Sequence, residues 1–486
     1  MMDNELVEIE IQDIYSELTE FIKDRQTKVN FLLGSNLTNE DYVAFREFSK
    51  TISQSESSFY LNDDLLYKGF FGDNIKLAKI DDLNSSDAIV VWAEDLKEKL
   101  PVLYLRIRQA VKNGVKLVVF GHTNETLSDI ADVFYGKDMV SENFEILKDL
   151  SKMKEINNLV VGKNITAILG KSTPYQADES ITKLFEFLNS NANSKVLNAY
   201  SKGNTYGAFQ TLENLKGLND FVNDISKDNT DLLFIVGADP IGRSVYSNQI
   251  KSIIKSIDTV ITLDNFNHET SELSDYVVPI SSTLGEKEGT FTNIEFRTSR
   301  IEKLVPSPGQ TVSDWEFITS LMNFAGLKAE ANSLEDLNRK AYENLDSSLS
   351  PVFDNLDKPS NLDGMINISK PKISTSENKL NKTMFFTGEK LYGDSATERH
   401  SDSISMLGSK KFIEVSESVV EKYNLTSGSC TLTQDELEVT VSYEVNNNFP
   451  NDLVYIPTNR RELNKFDFSR EILIIPTQVK EALNVN

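Results

Sequence analysis

Four short, mostly apolar runs each stop at a glycine, and that punctuation constrains the fold more than any other feature of the chain. Val29–Leu33 runs into Gly34, Val115–Phe120 into Gly121, Asn164–Leu169 into Gly170 and Leu232–Val236 into Gly237. Runs of this length, bounded by turn residues, read as buried strands. Between a further run, Asp87–Trp92, and Val115–Phe120 lies a stretch with helical spacing. Pro101 opens it, Val102, Leu103, Leu105, Ile107, Ala110 and Val111 supply its apolar positions, and Asn113-Gly114 closes it. Strand, helix and strand in that order predict a crossover in a parallel sheet.

The pattern then repeats. Helices are expected over Ser180–Leu188, Ser247–Ile257 and Val312–Phe324, and another strand over Thr259–Leu263. The expected fold is α/β: two doubly wound parallel-sheet domains, residues 1–150 and 151–335, with the polar stretch Ser151–Asn158 as their boundary. Residues 336–382, rich in Asn, Ser, Asp, Pro and Lys, read as a linker. Beyond it, Met384–Thr387, Phe412–Val415, Cys430–Thr433, Leu437–Tyr443, Leu453–Ile456 and Ile472–Ile475 are short β runs separated by Gly, Asn, Asp and Pro, which predicts a small β-barrel domain over 383–486.

Charge and scarce residues exclude several functions. A formal charge of −24 argues against binding a nucleic-acid backbone or an anionic membrane surface, and is more consistent with solubility or with a basic protein neighbour. A spanning helix needs about 20 apolar residues, and the longest apolar runs are strand-length, so direct membrane insertion is not expected. The start Met1-Met-Asp-Asn-Glu-Leu6 is acidic rather than signal-like, which predicts a cytoplasmic location. Iron–sulfur clusters and structural zinc sites take about four Cys or His ligands. This sequence has one cysteine, Cys430, and three widely spaced histidines, His122, His268 and His400. Neither kind of centre is expected on it, and Cys430 reads as a core residue on a strand.

Chemistry is best sought between Asp231 and Trp315. Gly237-Ala-Asp-Pro240 breaks the strand Leu232–Val236, and Asp264-Asn-Phe-Asn-His-Glu-Thr270 follows the strand Thr259–Leu263. Ligands of open α/β sheets bind outside the carboxyl ends of strands; Gly237 would admit a backbone there, and Asp264 would accept from a ribose or guanine donor. The same residues also make sense without a ligand: the glycine turn can follow any strand, and Thr270 or Ser271 can cap the next helix. Gly170-Lys-Ser-Thr173 is half of a phosphate loop, but Ile165 stands where the motif needs glycine, so nucleotide hydrolysis is not expected. His122 reads as a loop donor, and His268, beside Glu269, as a weak candidate base. Asp63-Asp64 and Asp81-Asp82 read as solvated faces. Arg106, Arg108 and Lys112 on the Pro101 helix are either a solvated face or a docking stripe.

An ordered series of motifs gives these residues a context. After Gly237-Ala-Asp-Pro240 and Asp264–Thr270 come Ser274-Asp-Tyr-Val-Val-Pro279, Glu286-Lys-Glu-Gly-Thr-Phe-Thr-Asn293 with Glu295-Phe-Arg297, Pro308-Gly309 and Asp314-Trp315. The series resembles the molybdopterin oxidoreductase family. Leu100–Ala110 and Lys202-Gly-Asn-Thr-Tyr-Gly-Ala208 are similar to segments of the G subunit of NADH:quinone oxidoreductase, complex I. The resemblance implies Gly237, Asp239, Asp264, Glu269 and Thr270 as the cofactor-binding positions of a molybdopterin guanine dinucleotide. Two departures stand out. The Cys-rich iron–sulfur region of the G subunit has no counterpart here, and Phe296 replaces the family's glycine in Glu-Gly-Arg, where a side chain crowds any backbone approach to a cofactor. The resemblance therefore implies a structural or accessory subunit of the peripheral arm of a complex I-like assembly. Its dinucleotide groove would be vestigial, it would have no catalytic residues, metal or cofactor of its own, and Fe–S clusters would sit on partner chains. The alternative is a subunit that retains the molybdopterin guanine dinucleotide.

Overall fold

The computed structural model describes residues 6–23, 27–52, 57–63, 76–92, 95–121, 125–135, 150–170, 188, 193–342, 383–393, 396–408, 412–468 and 470–477. The chain begins with strands β1 (Val29–Leu33) and β2 (Phe59–Leu61), then leaves their sheet. The next six strands, β3 (Lys76–Leu77), β4 (Ala88–Trp92), β5 (Lys116–Phe120), β6 (Val133–Tyr135), β7 (Ile165–Leu169) and β8 (Ser194–Asn198), form a parallel sheet in the order β3-β8-β7-β4-β5-β6. The chain then returns: β9 (Leu232–Val236), β10 (Thr259–Asp264) and β11 (Tyr276–Pro279) complete the first sheet in the order β11-β10-β9-β1-β2, parallel throughout. A hairpin of β12 (Gly289–Thr292) and β13 (Thr298–Ile301) follows.

The two α/β sheets are present as the sequence predicts, but they do not divide at residue 150. β1 and β2 belong with β9–β11, whereas β7 and β8 belong with β4 and β5. The chain accordingly packs as two units, one from residues within 1–68, 202–242 and 246–367, the other from residues within 69–201, 243–245 and 368–486. Ser151–Asn158, expected as a boundary, lies inside the helix Leu150–Val160, which buries Ile156 and Val160 one turn apart. The expected linker is helical at its start, since Leu334–Ala341 forms a helix capped by Ser333; residues 343–382 lie outside the described residues, as does nearly all of the helix expected over Ser180–Leu188.

The first sheet is covered on both faces because its strands alternate two kinds of side chain. One face carries a cross-strand ladder: Phe31 of β1 stacks on Phe59 of β2 at 4.9 Å and on Phe234 of β9 at 5.4 Å. Phe45 and Phe48 of the helix Asn39–Ile52 meet this ladder edge-on. The other face, with Leu32, Leu233 and Ile235, packs against Leu218, Phe221, Ile250 and Ile254 of two further helices. In the second sheet, β4, the helix Pro101–Lys112 and β5 make the expected crossover, with Pro101 in the first turn and Gly114 at a φ of 100° beyond the last.

The C-terminal strands are β14 (Met384–Gly388), β15 (Phe412–Val415), β16 (Ser429–Gln434), β17 (Leu437–Val445), β18 (Leu453–Pro457) and β19 (Leu473–Pro476). All six expected runs are strands. They form a mixed sheet ordered β14-β18-β15-β17-β16-β19, a curled half-barrel around Ile413, Val415, Leu432, Val441 and Ile456. Cys430 sits in this core on β16, and burial pushes its thiol up to about 11, so it remains protonated at neutral pH.

Candidate functional site

Strand order locates the crevice. From β1 the chain crosses to β2 on one side, and from β9 to β10 on the other, so the topological switch point lies between β1 and β9. The sequence reading centred on the ends of β9 and β10; the switch point is one strand over, and Gly237 borders it. Gly237 takes a φ of 58°. A side chain on Gly34 would meet the Gly237 carbonyl oxygen at 1.9 Å, and one on Gly237 would meet Leu37 at 2.8 Å. These glycines let two strand ends touch each other and let Leu37 cover the seam.

The family positions lie on the segments that follow β9 and β10, and Asp239, Asp264 and Thr270 bond to each other or to nearby residues of these segments. Asp239 Oδ1 accepts from the Gly242 N–H at 3.0 Å and from the Thr270 hydroxyl at 2.8 Å. Asp264 Oδ1 accepts from the Phe266 N–H at 3.1 Å, the local turn of an aspartate onto its own backbone. His268 lies between them, its Nε2 at 3.3 Å from Asp264 and its Nδ1 at 3.5 Å from Asp239. The Ser271 N–H donates to Nδ1 at 3.2 Å, which assigns the ring proton to Nε2, facing Asp264. Both aspartate side chains are only a tenth exposed, and Thr270 is fully buried. Thr270 starts a short 3-10 turn but makes no side-chain cap there; its hydroxyl serves Asp239 instead. Glu269 pairs with Lys251 at 3.7 Å.

Several of the other motif residues, Asn204, Lys287, Thr290, Thr292 and Trp315, converge on a segment that sequence reasoning passed over, Thr38-Asn-Glu-Asp41 at the start of the helix Asn39–Ile52. Thr38 and Asp41 cap the helix reciprocally: the Thr38 N–H donates to Asp41 at 2.8 Å and the Asp41 N–H to the Thr38 hydroxyl at 3.1 Å. A threonine followed three residues later by an acid, just after a glycine-ended strand, was the available signal. Glu40 is fully buried and accepts from the Thr290 N–H, the Thr290 hydroxyl and the Asn338 amide, each at 2.7 Å. Burial pushes its carboxyl above the usual range, against the pull of those donors. Asn39 donates to Thr290, Thr292 and Tyr342, and Asn204 of the Lys202–Ala208 segment donates to Asn39 at 2.9 Å and accepts from the Thr292 N–H at 2.7 Å. Lys287 is buried between Asp41, at 2.6 Å, and Asp314. Phe296, in the β12–β13 turn, holds the left-handed φ of 55° that its glycine counterpart would adopt freely, and its buried ring packs on Tyr206 with centroids 4.0 Å apart.

Other sequence candidates are dispersed. Asp63 is buried rather than solvated, and Asp82 pairs with Lys195 at 2.5 Å; Asp81 is exposed. Arg106, Arg108 and Lys112 are exposed, with Arg108 donating to Tyr104 at 2.9 Å. His400 is exposed, while His122, Asp64 and Lys171–Thr173 lie outside the described residues. Among the described residues there is no grouping of His, Cys, Asp and Glu able to hold a metal, and no helix long and apolar enough to cross a membrane.

Comparison with known proteins follows the same motifs. A family model described as molybdopterin oxidoreductase matches residues 2–324. The F420-dependent formate dehydrogenase subunit alpha of Methanocaldococcus jannaschii is 21% identical over 408 residues, 66% of this chain and 60% of that protein. The NADH-quinone oxidoreductase G subunit 2 of Rhizobium meliloti is 26% identical over 247 residues, 49% of this chain and 28% of that one. The chain thus spans 60% or less of the length of these curated relatives. The structure of acetylene hydratase from Pelobacter acetylenicus superposes with a TM-score of 0.57 at 11% identity, covering 93% of this chain and 83% of that one, which shows a shared fold.

Proposed function

Because the chain belongs to the molybdopterin oxidoreductase family, we propose that it serves as a structural, accessory subunit in the peripheral arm of an NADH:quinone oxidoreductase-type assembly, passing no electrons through these residues. One observation carries this reading: the family's motif residues Asn204, Lys287, Thr290, Thr292 and Asp314 direct their bonds to the helix start at Thr38–Asp41 and to each other. A polar core of that kind holds a surface in shape for partners. In the same reading, the crevice does not fit a pterin guanine dinucleotide. The anion seat at the helix start is taken by the chain's own Glu40 and Asp41, Asp239 and Asp264 are bonded internally, and Phe296 fills a glycine position. With one cysteine among these residues, they do not supply the thiolates of an Fe–S cluster, and in this reading such clusters sit elsewhere in the assembly. Similarity to the Rhizobium meliloti G subunit supports partners of that class.

The second reading, a subunit that retains the pterin dinucleotide, is favoured by the longer alignment with the formate dehydrogenase subunit. One experiment separates the two: purify the native complex through a tag on this chain, identify its subunits, and measure pterin, molybdenum and iron. Fe–S-bearing, quinone-reducing partners without pterin on this chain support the accessory role. A stoichiometric pterin on this chain overturns it in favour of the second reading.

A further inference from the structure

The ammonium of Lys287 is clasped by two carboxylates from the first turns of two different helices, Asp41 in Asn39–Ile52 and Asp314 in Asp314–Phe324. All three side chains are at most 1% exposed. The two acids are not equivalent. Asp41 Oδ2 accepts from Lys287 at 2.6 Å and from the Thr38 N–H at 2.8 Å, and its Oδ1 accepts from the Trp315 N–H at 3.2 Å. Asp314 bonds to Lys287 through Oδ2, while its Oδ1 is buried and receives no hydrogen bond from another residue among the described residues. With all three ionised, the cluster would hold one uncompensated negative charge away from water. Its surroundings make that worse: Glu40 is a second buried carboxyl on the same helix, Tyr42 gives its hydroxyl to the Gly34 carbonyl, and Glu316 is turned to the Ser313 N–H. A buried charge without partners is relieved by protonation. The acid with the unfilled oxygen is the one to take the proton.

We propose that Asp314 takes up a proton on folding, so that Asp41, Lys287 and Asp314 form a charge-balanced buried lock between the helix Asn39–Ile52 and the segment 287–315, and that the lock weakens when this proton leaves. The titration behaviour agrees in direction. Burial, reinforced by the Asp41 charge and opposed by Lys287, raises the Asp314 carboxyl from its ordinary 3.8 to about 7. Burial pulls the Lys287 ammonium down, but the two carboxylates outweigh it and keep the group protonated well above its usual range, so it does not titrate in the same interval. Because the folded value lies above the unfolded one, the contribution to stability is complete below about pH 4 and is lost as pH rises through about 7.

The test is a set of thermal melts of the full chain from about pH 5 to about pH 8, for the wild type, Asp314→Asn and Glu40→Gln, with infrared spectra at each pH. Asparagine keeps an oxygen for Lys287 and mimics the protonated acid. The wild type should lose melting temperature through neutrality, and D314N should lack that step and exceed the wild type above it. E40Q should keep the step. The wild-type-minus-D314N infrared difference should contain a protonated-carboxyl stretch that fades over the same interval. Parallel melting curves for wild type and D314N overturn the proposal, as does a step that vanishes in E40Q instead. If D314N does not fold, the infrared titration of E40Q, in which Glu40 can give no carboxyl band, decides: a protonated-carboxyl band that fades through neutrality supports the lock, and its absence overturns it.

Discussion

Two residues show how this molecule sets one energy against another. Phe296 holds a left-handed φ of 55°, which costs a residue with a Cβ about 1–2 kcal/mol. Its ring is 1% exposed and packs on Tyr206, and truncating such a buried aromatic costs about 3–5 kcal/mol. Phe296→Gly therefore relieves the smaller term and loses the larger, for a net loss of about 1–4 kcal/mol in urea unfolding. A variant more stable than the wild type would show that the ring contributes little. Lys287→Met should cost about 3–5 kcal/mol in all at neutral pH, because it strands two buried acids without their cation; a midpoint within error of wild type would refute that. These residues were legible to different degrees. Phe296 was visible as a side chain in a glycine's place. Lys287 was a letter in a motif, since the acids that define its role lie 246 and 27 residues away.

Elements were readable where their signal is local. All six C-terminal strands carry turn residues at both ends, and the Pro101–Lys112 helix announces its start and stop. The helix Leu150–Val160 was mistaken for a boundary because it buries Ile156 and Val160 and shows solvent Lys154 and Glu155, too sparse an apolar stripe to stand out from a loop. The meaning of the strand-ending glycines was also hidden, because a glycine that admits a ligand and one that admits a neighbouring backbone look alike in sequence. Here the distinction has a measurable consequence. Gly34→Ala drives a methyl group against the backbone carbonyl of Gly237 at 1.9 Å, an atom that no side-chain rotation can move away, so the ends of β1 and β9 must part. Gly114→Ala meets nothing within 4 Å and pays only for its φ of 100°, about 1–2 kcal/mol. Melting curves should show a far larger loss for G34A than for G114A; equal losses would mean that conformational strain, and not close packing, decides both sites.

At the scale of the molecule, local pattern does not say which sheet a strand joins. β1 and β4 are both five-residue buried strands with parallel neighbours, yet β1 pairs with a strand some two hundred residues on, at Val29↔Leu232, while β4 pairs at Ala88↔Lys116 and Ala88↔Ile165. Net charge, by contrast, was known from the start, and its consequences can be separated from those of the buried network. An excess of 24 negative charges repels itself through solvent. Raising the ionic strength from about 0.01 M to about 0.15 M shortens the screening length from about 30 Å to about 8 Å, which relieves that repulsion. The melting temperature at neutral pH should therefore rise over this range, equally in sodium and potassium chloride, and binding of any basic partner should weaken, chiefly through slower association. Asp41, Lys287 and Asp314 are out of reach of salt, so the difference between the wild type and D314N should persist at both ionic strengths. If salt instead erased that difference while leaving the wild-type melting temperature unmoved, the charges that govern stability would be the exposed ones, and the buried cluster would be only a feature of the packing.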